Sequence, residues 1–169
     1  ENLAGVMTKG GLRPGDALIL TKPVGTGTLF AADMRGSARG RWIDAAIASM
    51  VHSNQAAAQC LRRHQATACT DVTGFGLLGH LVEMTRASGV DATLWIEAVP
   101  LLEGAVETAS AGILSSLQSQ NLRLRRAVRD LEQAAGHPRF PLLFDPQTAG
   151  GLLAGVPAQR AAACVAELR

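Results

Sequence analysis

The segment at residues 70–80, TDVTGFGLLGH, combines one carboxylate with a glycine-rich turn and an apolar helical pattern. Asp71 stands at the start of the turn, and Gly74 and Gly76 allow the backbone there to approach a ligand and offer N–H groups to it. Because Mg²⁺ is usually held by a few carboxylates together with substrate phosphate oxygens, Asp71 is a candidate metal ligand. The segment therefore predicts part of a metal–phosphate site.

The residues beside Asp71 leave two interpretations open. In the first, the hydroxyls of Thr70 and Thr73 lie around the metal and phosphates, and further metal ligands come from elsewhere, since one carboxylate is an incomplete site. In the second, Asp71 only caps the N-terminus of the helix that follows. Residue chemistry alone does not separate them.

The same segment also has the G-x-G-x-x-G spacing of a dinucleotide-binding turn, and Glu97 follows about 20 residues later. Such a turn requires a continuous apolar strand directly before its first glycine. Residues 68–73 are instead polar at every second position, and Asp71 would add a negative charge beside a pyrophosphate. The sequence therefore favours the metal–phosphate interpretation over dinucleotide binding.

Two further segments place polar groups in turns. Residues 22–27, KPVGTG, could bind an anion at a helix N-terminus or form a tight strand-to-helix turn. The turn is favoured, because the segment lacks the phosphate-loop pattern. Residues 145–151, DPQTAGG, are typical of a turn, since an aspartate precedes a proline. Turn formation alone leaves Gln147 and Thr148 unexplained.

The cysteines and histidines form no recognisable catalytic or metal motif. Cys60, Cys69 and Cys164 contain no C-x-x-C pair, which argues against a zinc site or a disulfide framework. Each is expected to be a small buried residue. His80, with Glu83, is expected on the exposed side of its helix. The other histidines have no ligand-like spacing: His52, His64 and His137.

Composition indicates one soluble globular domain. The chain has 169 residues, 47% of them hydrophobic and 18% charged, and a formal net charge of +2. No apolar run reaches membrane-spanning length. Unpaired cysteines and the absence of a signal peptide predict a cytoplasmic protein. The one basic cluster lacks aromatic residues, so it predicts an exposed helix face and no nucleic-acid partner: Arg123, Arg125, Arg126 and Arg129.

Alternating strands and helices must position these motifs. Strands are predicted at 16–21, 91–96, 142–144 and 152–156, and helices at 28–34, 41–65, 75–89, 101–111, 121–135 and 157–169. The helix at 41–65 could be one or two joined near 52–54, with Ser53 or Asn54 as N-cap of the second. Asn121 is the expected N-cap of the helix at 121–135. The predicted class is α/β or α+β with a mixed β-sheet and packed helices.

Three segments together carry a resemblance to a known family. They are residues 20–27, LTKPVGTG, residues 70–80, and residues 144–153, FDPQTAGGLL. Their order and spacing resemble the C-terminal half of selenophosphate synthetase (selenide, water dikinase), within the aminoimidazole ribonucleotide synthetase superfamily. The resemblance runs from about Arg13 to the end of the chain. It implies an α+β fold for this half.

The resemblance also implies an activity and a set of partners. This family makes selenophosphate from selenide, ATP and water, with release of AMP and phosphate. Mg²⁺ ions neutralise ATP in a cleft between an N-terminal ATP-binding domain and this domain. Asp71 matches a family metal ligand, and four residues are expected around the Mg–ATP phosphates: Thr70, Thr73, Gly74 and Gly76.

The other catalytic groups of the family lie in an N-terminal segment that this chain does not contain. The three cysteines do not match the family nucleophile, and Lys22 does not match its essential lysine. Residues 1–169 are therefore expected to form a single C-terminal domain of a longer protein, inactive in isolation. Its expected partners are the N-terminal domain of the same protein, ATP and selenide, with no membrane partner and with a homodimer at full length.

Two other functions remain open. One is a non-catalytic assembly or regulatory module derived from the family, and the other is a related ATP-dependent kinase or synthetase such as thiamine-monophosphate kinase.

Overall fold

A three-stranded antiparallel sheet lies at the centre of the computed structural model, which describes residues 6–169. The strands, with β3 between the other two, are β1 (Asp16–Leu20), β2 (Ala68–Asp71) and β3 (Leu152–Pro157). Leu20 pairs with Leu153, and Asp71 pairs with Leu152. The ends of β1 and β2 therefore flank the start of β3.

Helices surround this sheet. The α-helices of the described residues are α1 (Thr26–Asp33), α2 (Gly40–Val51), α3 (Gln55–Arg63), α4 (Gly76–Ser88), α5 (Ala105–Ser110), α6 (Gln118–Asn121), α7 (Leu131–Ala135) and α8 (Ala158–Leu168). Three 3₁₀ segments accompany them: Ile96–Ala98, Leu122–Ala127 and Phe140–Phe144. In the described part of the chain, no helix combines the length and apolar character needed to cross a bilayer.

Alternating strand side chains divide the core between the two faces of the sheet. Leu18 and Leu20 pack into a cluster with α4 and the 3₁₀ segment Phe140–Phe144. Ile19 packs with Cys164 of α8 and with residues of α3. Successive side chains of a strand point to opposite faces. Thus α4 covers one face of the sheet, while α3 and α8 cover the other.

Several predicted helix boundaries are confirmed. Helix α4 ends at Gly89, whose φ of 67° is left-handed, and α8 follows Pro157. The predicted break at 52–54 separates α2 from α3, so this region holds two helices. The predicted helices at 28–34 and 101–111 correspond to α1 and α5 with shifted ends. The α+β class is confirmed, and parallel pairing in the described residues is limited to an isolated bridge outside the sheet.

Two of the predicted strands are wrong. Residues 91–96 form no strand, and the chain enters a 3₁₀ turn at Ile96. Residues 142–144 belong to the 3₁₀ segment Phe140–Phe144, which has Pro141 at its start. A short apolar run fits a buried turn as well as a buried strand, and here proline favours the turn.

The long helix predicted at 121–135 is also wrong, because α6, a 3₁₀ segment and α7 occupy this region. Asn121 caps no long helix; its buried amide donates to the carbonyl oxygens of Gly74 (2.8 Å) and Phe144 (3.0 Å). The basic cluster is exposed, as expected, but it lies on the 3₁₀ segment Leu122–Ala127 and just after it rather than on an α-helix: Arg123, Arg125, Arg126 and Arg129.

Candidate functional site

The three glycine-rich segments at 20–27, 70–80 and 144–153 meet at one end of the sheet. The Val72 N–H donates to the Gly151 carbonyl oxygen at 2.8 Å, where β2 leaves β3. The Gln147 N–H donates to the Thr73 carbonyl oxygen at 3.0 Å. The segments therefore form one hydrogen-bonded platform, named here the motif platform.

Asp71 is an exposed carboxylate at the edge of the motif platform. It is the last residue of β2, and its side chain makes no hydrogen bond or ion pair with residues 6–169. Helix α4 begins at Gly76, with Phe75 as its N-cap and no side-chain capping bond. The interpretation of Asp71 as a helix cap is therefore wrong. An exposed carboxylate without a partner in the described residues is compatible with metal binding.

The two glycines after Asp71 have different surroundings. Gly76 has a φ of 71°, and a Cβ there would lie 2.7 Å from the carbonyl carbon of Phe144. This turn therefore needs glycine at position 76 in order to pack on the 3₁₀ segment. Gly74 is exposed, and an added Cβ would meet nothing within 4 Å. The backbone at Gly74 is thus open to a ligand beside Asp71.

The side chain of His80 binds the backbone of the glycine-rich turn at Thr73. This side chain is buried, and Nε2 accepts the Thr73 N–H at 3.0 Å and lies 3.2 Å from the Thr73 hydroxyl. This bond assigns the ring proton to Nδ1, which lies 3.3 Å from Glu83 Oε2 in poor alignment for a hydrogen bond. Burial lowers the pKa of His80. The prediction that His80 is exposed is wrong, because the turn folds back over this side of α4.

The two threonines beside Asp71 already have internal partners. The buried Thr70 hydroxyl donates to the Asp71 carbonyl oxygen at 3.2 Å, and the Thr73 hydroxyl contacts His80. Their role around phosphates stays a prediction, as does that of Gly74 and Gly76.

Gln147 joins two segments of the motif platform. Its Oε1 accepts from the Gly25 N–H (3.0 Å), the Thr26 N–H (3.3 Å) and the Thr26 hydroxyl (3.1 Å). These bonds satisfy donors at the N-terminus of α1 that would otherwise need a ligand or water. The segment at 22–27 is therefore a strand-to-helix turn, as the sequence favoured.

Asp145 is a buried carboxylate beneath this junction. Its oxygens accept from the Thr28 hydroxyl at 2.7 Å and from Gln147 Nε2 at 2.9 Å. Burial raises the pKa of Asp145 to about 6. Sequence reasoning missed this assembly, although the unexplained Gln147 was a signal of it.

Lys22 links the platform to the segment between α2 and α3. Its buried ammonium donates to the carbonyl oxygens of His52 (2.6 Å) and Ala149 (3.1 Å), and burial lowers its pKa. Asn54 is the N-cap residue of α3, as predicted, but its side chain makes no capping bond and donates its amide N–H to the Gly150 carbonyl oxygen at 2.9 Å. Lys22 therefore acts within the fold and does not face an anion.

The motif platform can supply one hard oxygen ligand from a rigid support. In residues 6–169, no group of three histidine, cysteine, aspartate or glutamate side chains includes Asp71. The cysteines are all buried as expected, and burial raises the pKa of Cys69 to about 11. A protonated, buried thiol is a poor nucleophile. Asp71 is thus the one predicted site residue with a free functional group in this part of the chain.

A dinucleotide turn does not fit this geometry. The glycine-rich turn follows β2, which pairs antiparallel with β3, whereas a dinucleotide fold needs a parallel βαβ unit.

Comparisons with known proteins agree with the sequence motifs. A family model described as AIR synthase related protein, C-terminal domain, matches residues 13–169. The chain is 36% identical over 168 residues to a selenide, water dikinase of Clostridioides difficile, covering 97% of this chain and 47% of that protein. It is 43% identical over 141 residues to a selenide, water dikinase of Geobacter metallireducens, covering 83% of this chain and 41% of that protein. The chain spans about half the length of the curated relatives it matches.

Solved structures show the same fold. The hydrogenase maturation protein HypE superposes with a TM-score of 0.69 at 20% identity, covering 96% of this chain and 42% of HypE. Thiamine-monophosphate kinase from Stenotrophomonas maltophilia superposes with a TM-score of 0.52 at 16% identity, covering 95% of this chain and 45% of the kinase. At these identities the likeness concerns the fold alone.

Proposed function

This chain belongs to the AIR synthase related family of C-terminal domains, and we propose that it is the C-terminal domain of an ATP-dependent selenophosphate synthetase. The proposed reaction of the whole protein converts selenide, ATP and water into selenophosphate, AMP and phosphate. The observation that carries the proposal is the exposed carboxylate of Asp71 on the motif platform, which has no partner among residues 6–169. Identity of 36–43% to proteins named selenide, water dikinase supports the choice of reaction.

The donor set at the platform fits Mg²⁺. A carboxylate oxygen is the ligand type that this ion prefers, and Asp71 presents one to solvent. Gly74 leaves open space beside it, so phosphate oxygens can approach the backbone. When bound, the ion would neutralise charge on the polyphosphate.

The rest of the platform keeps Asp71 in place. His80 fixes the turn through the Thr73 N–H, and Gly151 binds the residue after Asp71. A ligand held by such internal bonds loses little further freedom when the metal and nucleotide arrive. These residues therefore act as positioning residues in the proposal.

One carboxylate cannot perform phosphoryl transfer, which requires several charge-neutralising groups in place. We therefore infer that the remaining metal ligands and the nucleophile belong to an N-terminal domain of the same protein. We further propose that the isolated chain has no catalytic activity, that the protein is cytoplasmic, and that the full-length protein is a homodimer. Coverage of about half of each relative supports an N-terminal partner domain.

The test is Asp71→Asn in the full-length protein, with selenide-dependent AMP formation as the readout. We expect activity to fall at least a hundredfold, with unchanged circular dichroism, because the amide keeps the shape but loses the charge. Asp44→Asn is the matched control, since Asp44 is an exposed aspartate on α2, away from the platform. Activity retained in Asp71→Asn would reduce Asp71 to an ordinary surface residue. ATP turnover with another acceptor, and none with selenide, would reassign the protein to a different ATP-dependent enzyme.

A further inference from the structure

Two helices on the sheet face opposite α4 bring four metal-binding side chains together. Cys60 lies in the last turn of α3 and His64 directly follows that helix as its C-cap, while Cys164 and Glu167 are one turn apart on α8. Helices α3 and α8 pack against each other, so the pairs face one another although Cys60 and Cys164 are separated by 104 residues.

The distances within this group approach those of a tetrahedral site. The two sulfur atoms are 3.9 Å apart, and a ring nitrogen of His64 and both sulfurs all lie within 4.8 Å of one another. With Zn–S bonds of about 2.3 Å, two thiolates on a tetrahedral zinc ion are about 3.8 Å apart. The cysteine pair is therefore already at the required spacing, with an imidazole nitrogen close to both sulfurs.

Glu167 contacts the same group from the surface. Its Oε2 lies 2.8 Å from His64 Nε2, while Arg63 binds the other oxygen, with Nε 2.9 Å from Oε1. Metal-bound histidines usually pair with such a carboxylate, which orients the ring. The arrangement thus supplies the ligands together with a group that positions one of them.

The burial of the four side chains also suits a metal site. Both cysteines are buried, the His64 side chain is 14% exposed, and the Glu167 side chain is 40% exposed. An ion can therefore enter from the His64 side while the sulfur atoms stay shielded from solvent. Each thiol that becomes a ligand would release its proton to solvent.

We propose that Cys60, His64 and Cys164, oriented by Glu167, bind one Zn²⁺ ion and thereby tie α8 to α3. Two thiolates and an imidazole select zinc or a similarly soft divalent ion over Mg²⁺. This site is separate from the motif platform and needs neither ATP nor selenide. With three protein ligands, a water molecule would complete the tetrahedron, and the bound ion would join α8 to α3, a helix about 100 residues earlier.

The experiment is a Co²⁺ titration of the reduced, metal-free chain, followed by displacement with Zn²⁺. We expect saturation at one equivalent, with a thiolate-to-cobalt charge-transfer band and the intense visible bands of a tetrahedral ion. Cys60→Ser and Cys164→Ser should abolish the charge-transfer band. Cys69→Ser is the matched control and should keep it, because Cys69 is buried in the same core cluster but lies outside the metal-binding group.

Two further variants test zinc binding if the serine variants unfold. His64→Gln alters a partly exposed side chain, and Zn²⁺ affinity should fall at least tenfold while circular dichroism is unchanged. Glu167→Gln should weaken zinc binding by roughly 10- to 100-fold. Absence of the charge-transfer band in the folded, reduced chain would overturn the proposal. Zinc affinity unchanged by His64→Gln, or lost equally in Cys69→Ser, would overturn it as well.

Discussion

The motif platform differs from the group of Cys60, His64, Cys164 and Glu167, named here the α3–α8 cluster, in how its chemical groups reach their positions. Asp71 belongs to a continuous segment whose glycines, carboxylate and helix follow one another in sequence. Cys60 and Cys164 become neighbours only because two helices pack on the same face of the sheet. The platform offers one hard oxygen ligand at an exposed edge, whereas the cluster gathers soft ligands at the rim of the core. Local motifs therefore identify the first region, and only the fold identifies the second.

The largest expected effect is a loss of stability when the glycine turn of the platform is altered at Gly76. Gly76→Ala should lower the free energy of unfolding by roughly 2–4 kcal/mol, through left-handed backbone strain and the contact with Phe144. Gly74→Ala is the matched control and should change it by no more than about 0.5 kcal/mol, since its surroundings are open. Urea unfolding followed by circular dichroism measures both. Equal effects of the two substitutions would show that the contact at Phe144 does not support the platform.

The same contrast explains how much of the molecule could be predicted from the sequence. Strands β1 and β3, the break between α2 and α3, and the end of α4 at Gly89 all carry local signals, and they were predicted. The strand expected at 142–144 was wrong because a short apolar run does not reveal whether it finds a strand partner.

The side-chain environments depended more on long-range contacts. His80 was expected in solvent, because a sequence window cannot show that the preceding turn covers it. Gln147 binds the start of α1 from 121 residues away, and no periodic pattern encodes that contact. The expectation that His64 has no ligand-like spacing was wrong, because it follows Cys60 by four residues and the third member of the group, Cys164, comes from α8. The metal-ligand role of Asp71 stays a prediction until the substitution is made.

The second expected effect is a dependence of the unfolding free energy on pH, which arises from Asp145 beneath the platform. The folded-state pKa of Asp145, about 6, lies above the usual aspartate value near 3.9, so the folded chain binds this proton more tightly than the unfolded chain. Stability from this group is therefore fully present below about pH 4 and is lost as the pH rises through about 6, by an amount on the order of 3 kcal/mol.

Asp145→Asn isolates this contribution from other titrating groups. The lowered pKa of His80 has the opposite sign, because a neutral buried imidazole costs stability as the pH falls below its unfolded value. We expect the difference in unfolding free energy between the original chain and the variant to change between pH 4 and pH 6.5. A difference independent of pH would mean that Asp145 remains ionised throughout this range.

The smallest expected effect concerns the α3–α8 cluster without metal. In chelator, Glu167→Gln should leave the urea midpoint within experimental error, because Glu167 pairs with Arg63 and His64 at the surface, where ion pairs contribute little. The same substitution should matter once Zn²⁺ is added, since Glu167 then orients a metal ligand. A large loss of stability in chelator would mean that these charges hold α8 to α3 by themselves. The two regions would then no longer differ in the way proposed, because the cluster, like the platform, would be held by its own internal bonds.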